Sequence, residues 1–187
     1  SLDADYVISS MPLKDLILAV DNVPKNVKET AQNLPYRDFV TVGILVKDIN
    51  LKNETKIKTY NKRIPDCWIY VQDKNVKMGR MQFFNNWSPY MVKDYRNTLW
   101  IGLEYFCREN DDFWNMTQEE TMEFAAKELI KMKIISSKDD IIDFHRERVE
   151  KAYPAYFGSY KDIDKVIDFV NSIDNLYCIG RNGQHRY

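Results

Sequence analysis

The sequence is poor in the residues that mark metal-binding and secreted, disulfide-bonded proteins. It has three cysteines, an odd number, and Cys67, Cys107 and Cys178 lack the spacing of metal ligands. Each lies in an apolar run typical of a strand, so we expect reduced, buried thiols in a reducing compartment. Two histidines are present: His145 has no second ligand at metal-binding spacing, and the sequence leaves the role of His185, in the C-terminal turn, undecided. The composition therefore predicts a cytoplasmic protein without a metal site.

An excess of charge and long hydrophobic runs are also absent. The 27 basic residues nearly balance the 28 acidic residues, which gives no electrostatic basis for binding nucleic acid or an anionic membrane. No apolar run reaches the ~18 residues of a membrane-spanning helix. The N-terminus has no basic region followed by an apolar stretch, so we expect no signal peptide and no membrane insertion. The densest basic cluster is predicted to be a solvated loop or strand edge and comprises Lys56, Lys58, Lys62 and Arg63.

Glycine is scarce, and its spacing excludes one common nucleotide-binding motif. The six glycines occupy positions 43, 79, 102, 158, 180 and 183. No set of them forms Gly-x-Gly-x-x-Gly, the loop that cradles a dinucleotide diphosphate at the start of a helix. These residues are therefore not expected to contain a complete dinucleotide-binding domain.

Hydrophobic residues make up 44% of the chain, and their spacing predicts a mixed fold. Successive strand patterns without intervening helices favour an antiparallel sheet, and they cover 39–46, 67–72, 80–87 and 99–107. A further strand is expected around Ile142–Val149. Helical spacing is found at 13–20, after Pro24, at 118–133 behind a capping box at Thr117, and at 160–173. The last two helices are expected to pack near the sheet.

The two ends of the chain share a different pattern. Tyr6–Ile8 and Leu176–Ile179 are short apolar runs, and each opens into a turn of small residues. Strands of a parallel nucleotide-binding sheet end in this way. We therefore predict that these two strands lie side by side and parallel, away from the antiparallel sheet.

The final eight residues combine glycine and arginine at the end of a buried strand. Glycine lets backbone N–H groups approach a phosphate, and the Arg181 guanidinium neutralises it with a fork of donors. From the residues alone, Gly180–Gly183 is either an anion site or a plain turn.

The segment from Asn175 to Tyr187 resembles the C-terminal FAD-binding signature of the flavin amine oxidase-like superfamily. That group includes protoporphyrinogen oxidases, phytoene desaturases and UDP-galactopyranose mutases. Ala4–Pro12 is similar to the strand and turn that leave their FAD domain. Ile64–Val71, Asn85–Pro89 and Ala152–Tyr156 resemble substrate-domain signatures of a mutase- or oxidoreductase-like branch linked to bacterial polysaccharide and lipopolysaccharide biosynthesis. The resemblance covers most of the chain in order.

This resemblance implies an α+β fold. An antiparallel-sheet substrate domain with flanking helices would span 25–173. Residues 1–24 and 174–187 would contribute two strands to a Rossmann-like FAD domain. The chain would then be the substrate-side fragment of a longer FAD-dependent oxidoreductase or mutase. It is expected to be inactive alone and not to bind FAD, because the phosphate loop is absent.

The resemblance also implies site residues. Those implied to contact FAD are Ser10, Pro12, Gly180, Arg181, Gly183 and Tyr187. Those implied to bind a small-molecule substrate, such as a nucleotide sugar, are Arg80, Asn86, Trp87, Tyr153 and Tyr156. From the residues alone, an exposed strand arginine is the favoured interpretation of Arg80, and core packing is the default interpretation of the tyrosines. Trp87 is either a pocket residue or a core residue. The cofactor is expected to carry the chemistry, and no catalytic residue is predicted. The alternative function is a self-contained α+β binding or interaction module without a cofactor.

Overall fold

The computed structural model describes residues 3–187 and divides into two compact units. Ser1 and Leu2, the start of the predicted 1–24 segment, lie outside the described residues. One unit, the terminal unit, combines 1–38 with 150–187. The other, the central unit, consists of 39–149. The fold is α+β, as predicted.

A five-stranded antiparallel sheet has the strand order β3-β4-β5-β2-β6, which confirms the predicted sheet. Its strands are β2 (Tyr36–Val46), β3 (Trp68–Tyr70), β4 (Arg80–Phe83), β5 (Leu99–Cys107) and β6 (Ile141–Pro154). The predicted strand around Ile142–Val149 is therefore present as the longer edge strand β6. The helices of the central unit are α3 (Phe84–Trp87), α4 (Asp112–Asn115) and α5 (Gln118–Lys131).

Side-chain alternation divides this sheet into an apolar face and a polar-aromatic face. Met81 pairs with Leu103 in the antiparallel ladder, and these residues belong to the main hydrophobic core. Helix α5 packs on that core through Ala125 and Leu129, and the predicted capping box at Thr117 is present. Neighbouring residues of each strand point to the opposite face, where Arg80 pairs with Glu104.

Strand β4 is shorter than the sequence predicted. The strand ends at Phe83, whereas a strand through residue 87 was expected. The buried side chain of Asn85 explains the difference, because its oxygen accepts from Trp100 N–H and its amide donates to the carbonyl of Thr98. The side chain thus makes the bonds that a continuing backbone ladder would make.

The prediction of a solvated basic loop is wrong for one of its members. Arg63 is 4% exposed, and its guanidinium donates to the carbonyls of Tyr95, Arg96 and Thr98. Cys107 is buried, as expected, whereas Cys67 and Cys178 are only half-buried.

The terminal unit contains a second, parallel sheet of two strands, as predicted. Strands β1 (Val7–Ser9) and β7 (Leu176–Cys178) pair with Ile8 opposite Tyr177. The helices of this unit are α1 (Leu13–Ala19), α2 (Lys25–Gln32), α6 (Asp164–Asn171) and α7 (Gly180–Gly183). No helix among residues 3–187 is long and apolar enough to cross a membrane.

Helix α6 packs in a place that its sequence did not indicate. Its apolar stripe, with Val166 and Val170, packs with α1 and α2 in the core of the terminal unit, whereas packing near the antiparallel sheet was expected. The two compact units divide the chain between Asp38 and Phe39 and between Val149 and Glu150, whereas the predicted domain boundaries lie at 24/25 and 173/174. The assignment of 1–24 and 174–187 to an FAD-binding domain stays a prediction.

Candidate functional site

The predicted flavin residues at the two ends of the chain come together at the ends of the parallel strands. The Ile179 N–H donates to the carbonyl of Ser9 at 2.9 Å. Helix α7 then passes so close to the turn after β1 that a Cβ on Gly183 would lie 2.9 Å from the same carbonyl oxygen and 3.4 Å from Cα of Ser10. Only glycine permits this approach. The turns that contain Ser10 and Gly183 therefore form one site.

The start of α7 presents an open backbone and an exposed cation. Gly180 has φ of +73°, and nothing lies within 4 Å of the position that its Cβ would occupy. The next residue, Arg181, is exposed, and its guanidinium carbon lies 4.8 Å from the ring centroid of Tyr153 and 5.4 Å from that of Tyr187. An exposed guanidinium over two aromatic faces is held in place and remains accessible to an anion.

Two tyrosines build the aromatic side of this site. The rings of Tyr153 and Tyr187 stack with centroids 6.1 Å apart and an interplanar angle of 14°. The Tyr187 hydroxyl accepts a hydrogen bond of 3.0 Å from Nη1 of Arg181, and the Tyr156 hydroxyl accepts one of 2.9 Å from the Tyr187 backbone N–H. The structure thus groups Tyr153 and Tyr156, predicted to bind substrate, with the predicted flavin residues.

His185, whose role the sequence left undecided, is buried beneath this turn. It is fully buried, has φ of +47°, and its Nε2 donates to the carbonyl of Ala155 at 3.3 Å. Its ring packs edge to face against that of Tyr36, with the ring centroids 4.7 Å apart. Burial lowers the pKa of His185, and hydrogen bonds to the carbonyls of Ala155 and Pro35 oppose that shift. A histidine in left-handed backbone conformation has no periodic sequence signal, so pattern analysis did not find this anchor.

In the central unit, the predicted substrate residue Arg80 is buried, so the alternative of an exposed strand arginine is wrong. Its Nε lies 3.0 Å from Oε2 of Glu104, with 8% and 6% of the two side chains exposed. The Gln82 amide donates to the same carboxylate. The guanidinium carbon lies 4.6 Å from the ring centroid of Phe106 and 5.1 Å from that of Trp68. Arg80 is therefore held inside a compensated polar and aromatic cluster.

Asn86 and Trp87, the other predicted substrate residues of this unit, differ in their surroundings. The Asn86 amide donates to the carbonyls of Ile64 and Asp66, both at 2.8 Å, and so holds the segment before β3. Trp87 is 53% exposed, which excludes the alternative that it is a core residue. Whether either contacts a ligand stays a prediction.

The parallel sheet has an apolar face that the described residues leave exposed. Alternation along β1 and β7 puts the side chains of Tyr6, Ile8, Tyr177 and Ile179 on one face. These side chains are 48% to 69% exposed. The opposite face, with Leu176 and Cys178, packs against the helices of the terminal unit.

Among residues 3–187, no group of three histidine, cysteine, aspartate or glutamate side chains is arranged to hold a metal ion.

Comparison with known proteins identifies the fold but no family. No family model matches the sequence, and no curated protein does. The chain is similar to the crystal structure of a reduced UDP-galactopyranose mutase, with a TM-score of 0.75 and 21% identity over 100% of this chain and 37% of that one. It is also similar to a putative protoporphyrinogen oxidase from Exiguobacterium sp. 255-15, with a TM-score of 0.63 and 13% identity over 96% of this chain and 36% of that one. The chain thus spans little more than a third of the length of these two neighbours.

Proposed function

We propose that this chain is the substrate-side part of a longer FAD-dependent protein, either an amine oxidase-like oxidoreductase or a UDP-galactopyranose mutase-like enzyme. The similarity of fold to a mutase and to an oxidase-like protein supports the class. A fold hosts several chemistries, so the reaction is not assigned from it. A cytoplasmic role in polysaccharide or lipopolysaccharide biosynthesis belongs to the same proposal.

The exposed face of the parallel sheet is the observation that carries this proposal. Parallel sheets are found with both faces covered, and two-stranded sheets are marginal by themselves. Here Ile8 is 68% exposed and Tyr177 is 49% exposed on the uncovered face. We assign the segments 1–24 and 174–187 to a Rossmann-like FAD domain, whose other strands and covering helices the longer protein supplies.

The turns after β1 and β7 suit the diphosphate of FAD. The backbone at Gly180 is open, and Arg181 offers an exposed guanidinium beside it. The flavin supplies the redox chemistry when it is bound. This chain contributes binding and orientation: Arg181 would pair with diphosphate oxygens. The close approach of Gly183 to Ser10 keeps the two strand ends together, and Pro12, directly before α1, is a further proposed contact of the cofactor.

The substrate would be a small molecule, and a nucleotide sugar is the proposed class. Trp87 offers an exposed side chain for stacking on a flat group, and the half-buried Tyr153 lies beside Arg181. Glu104 compensates the charge of Arg80. We therefore propose that Arg80 packs within the polar-aromatic face of the sheet and does not pair with an anionic group of the substrate. No residue is assigned a proton-transfer role.

The proposal is tested on the reading frame that encodes this chain. We expect it to extend upstream into a Gly-x-Gly-x-x-Gly segment, and the protein expressed from it to be yellow with a flavin absorption spectrum. A frame without that segment, or a folded longer protein that contains no flavin, contradicts the proposal.

The 187-residue chain alone is expected to bind FAD weakly. The helix N-terminus of the phosphate loop normally supplies most of the diphosphate contacts, and the sequence lacks that loop. Titration of FAD fluorescence should give a dissociation constant well above ~1 μM, which corresponds to about −8 kcal/mol. The longer protein serves as the control. A dissociation constant near or below ~1 μM for the chain alone would show that the loop is dispensable.

A self-contained binding module without a cofactor is the second candidate. The absent phosphate loop and the separate core of the central unit favour it. The same experiment separates the two candidates, because a module of this kind stays colourless in any longer reading frame.

A further inference from the structure

The C-terminal turn is attached to the end of β6 at two consecutive residues. Nε2 of the buried His185 donates to the carbonyl of Ala155, and the Tyr187 N–H donates to the hydroxyl of Tyr156. Between these anchors and β7, the amides of Gln184 and Arg186 bond within the turn itself, to the carbonyls of Gly180 and Arg181. The segment that contains Tyr156 therefore holds the C-terminal end of this turn, while Gly183 holds its other end against Ser10.

Tyr187 links Tyr156 to Arg181 through two hydrogen bonds. The hydroxyl of Tyr156 fixes the backbone of Tyr187, and the hydroxyl of Tyr187 accepts from Nη1 of Arg181 at 3.0 Å. The ring of Tyr187 stacks on Tyr153, and the guanidinium lies over both rings. Arg181 is exposed, so these contacts decide where its remaining N–H donors point.

We infer that Tyr156 is a positioning residue that orients Arg181 through Tyr187, and not a substrate ligand. The inference rests on the proposed function, in which Arg181 pairs with the flavin diphosphate. A preorganised guanidinium loses less freedom on binding than a mobile one, so removal of the Tyr156 hydroxyl weakens FAD binding without removing a ligand contact.

Hydrogen exchange in the 187-residue chain tests the positioning independently of FAD. In Tyr156→Phe, the amides of Gln184, Arg186 and Tyr187 are expected to exchange about two- to tenfold faster, because a net hydrogen bond of ordinary strength is lost from the turn. Amides in β5 should keep their protection. Unchanged exchange at Gln184 and Arg186 overturns the inference.

Tyr160→Phe is the matched control. The ring of Tyr160 lies 4.8 Å from that of Tyr156, and among the described residues its hydroxyl makes no hydrogen bond to the turn. The same chemical change at this neighbouring position should leave the exchange of the turn amides as in the wild type. If both variants loosen the turn equally, the tyrosine cluster acts only through packing, and the positioning role is wrong.

A double-mutant cycle in the longer protein tests the functional consequence. Tyr156→Phe is expected to weaken FAD binding about two- to tenfold, and to have no further effect in an Arg181→Ala background. Additive effects mean that Tyr156 contacts the ligand itself, which overturns the positioning role. If Arg181→Ala leaves FAD binding unchanged, the proposed function of Arg181 is wrong. The hydrogen-exchange experiment does not depend on FAD, so it still decides whether Tyr156 positions the turn.

Discussion

Replacement of Arg181 by alanine in the longer protein should weaken FAD binding by about ten- to a hundredfold. The estimate follows from the loss of charge-assisted hydrogen bonds, worth about 1.5–3 kcal/mol. The fold should survive, because Arg181 is exposed at the start of a short helix and its side chain bonds only to Tyr187 among the described residues. Flavin content and FAD titration of the apoprotein measure the effect, and thermal unfolding of the apoprotein checks the fold.

Arg181→Lys is the matched variant, since it keeps the positive charge and removes the planar fork. A lysine ammonium is a point charge and does not reproduce paired hydrogen bonds to two phosphate oxygens. We therefore expect an affinity between those of the wild type and of Arg181→Ala. Equal flavin retention by all three proteins would mean that Arg181 is only a turn residue and that the site assignment is wrong.

Replacement of Glu104 by alanine should lower the free energy of unfolding of the chain by about 3–5 kcal/mol. Glu104 is 4% exposed, and its carboxylate faces Nε of Arg80 at 3.0 Å while it accepts from the Gln82 amide. Removal of the carboxylate leaves the positive charge of Arg80 buried without its compensating anion. Urea unfolding followed by tryptophan fluorescence measures the loss.

The double variant Arg80→Met, Glu104→Leu serves as the control for this effect. Replacing both members of a buried ion pair with apolar side chains is often neutral or stabilising, because no buried charge is left. The double variant should therefore unfold at a higher urea concentration than Glu104→Ala. A loss below ~1 kcal/mol for Glu104→Ala would show that the pair behaves like an exposed salt bridge.

Local pattern was sufficient for most of the secondary structure. The alternation in Leu99–Cys107 predicted β5 with its observed bounds, and Thr117 with Glu120 predicted the start of α5. The shared apolar-then-small pattern of the two ends predicted their parallel pairing. These features follow from neighbouring residues, whose spacing determines which face of a strand or helix is apolar. The sequence therefore determined the α+β class and the turn that carries Gly180 and Arg181.

Tertiary structure alone decided which polar residues are buried and what they hold. Arg80 is buried because Glu104, on the adjacent strand, compensates its charge, and Asn85 ends β4 because its side chain bonds to Trp100, 15 residues away. His185 anchors the candidate flavin turn through the carbonyl of Ala155, 30 residues away. A polar side chain is stable in the interior only when its partners are brought to it. Those partners are distant in sequence, so the spacing of neighbouring residues does not indicate them. Only the folded chain shows that the C-terminal turn is held by Ala155 and Tyr156, directly after β6.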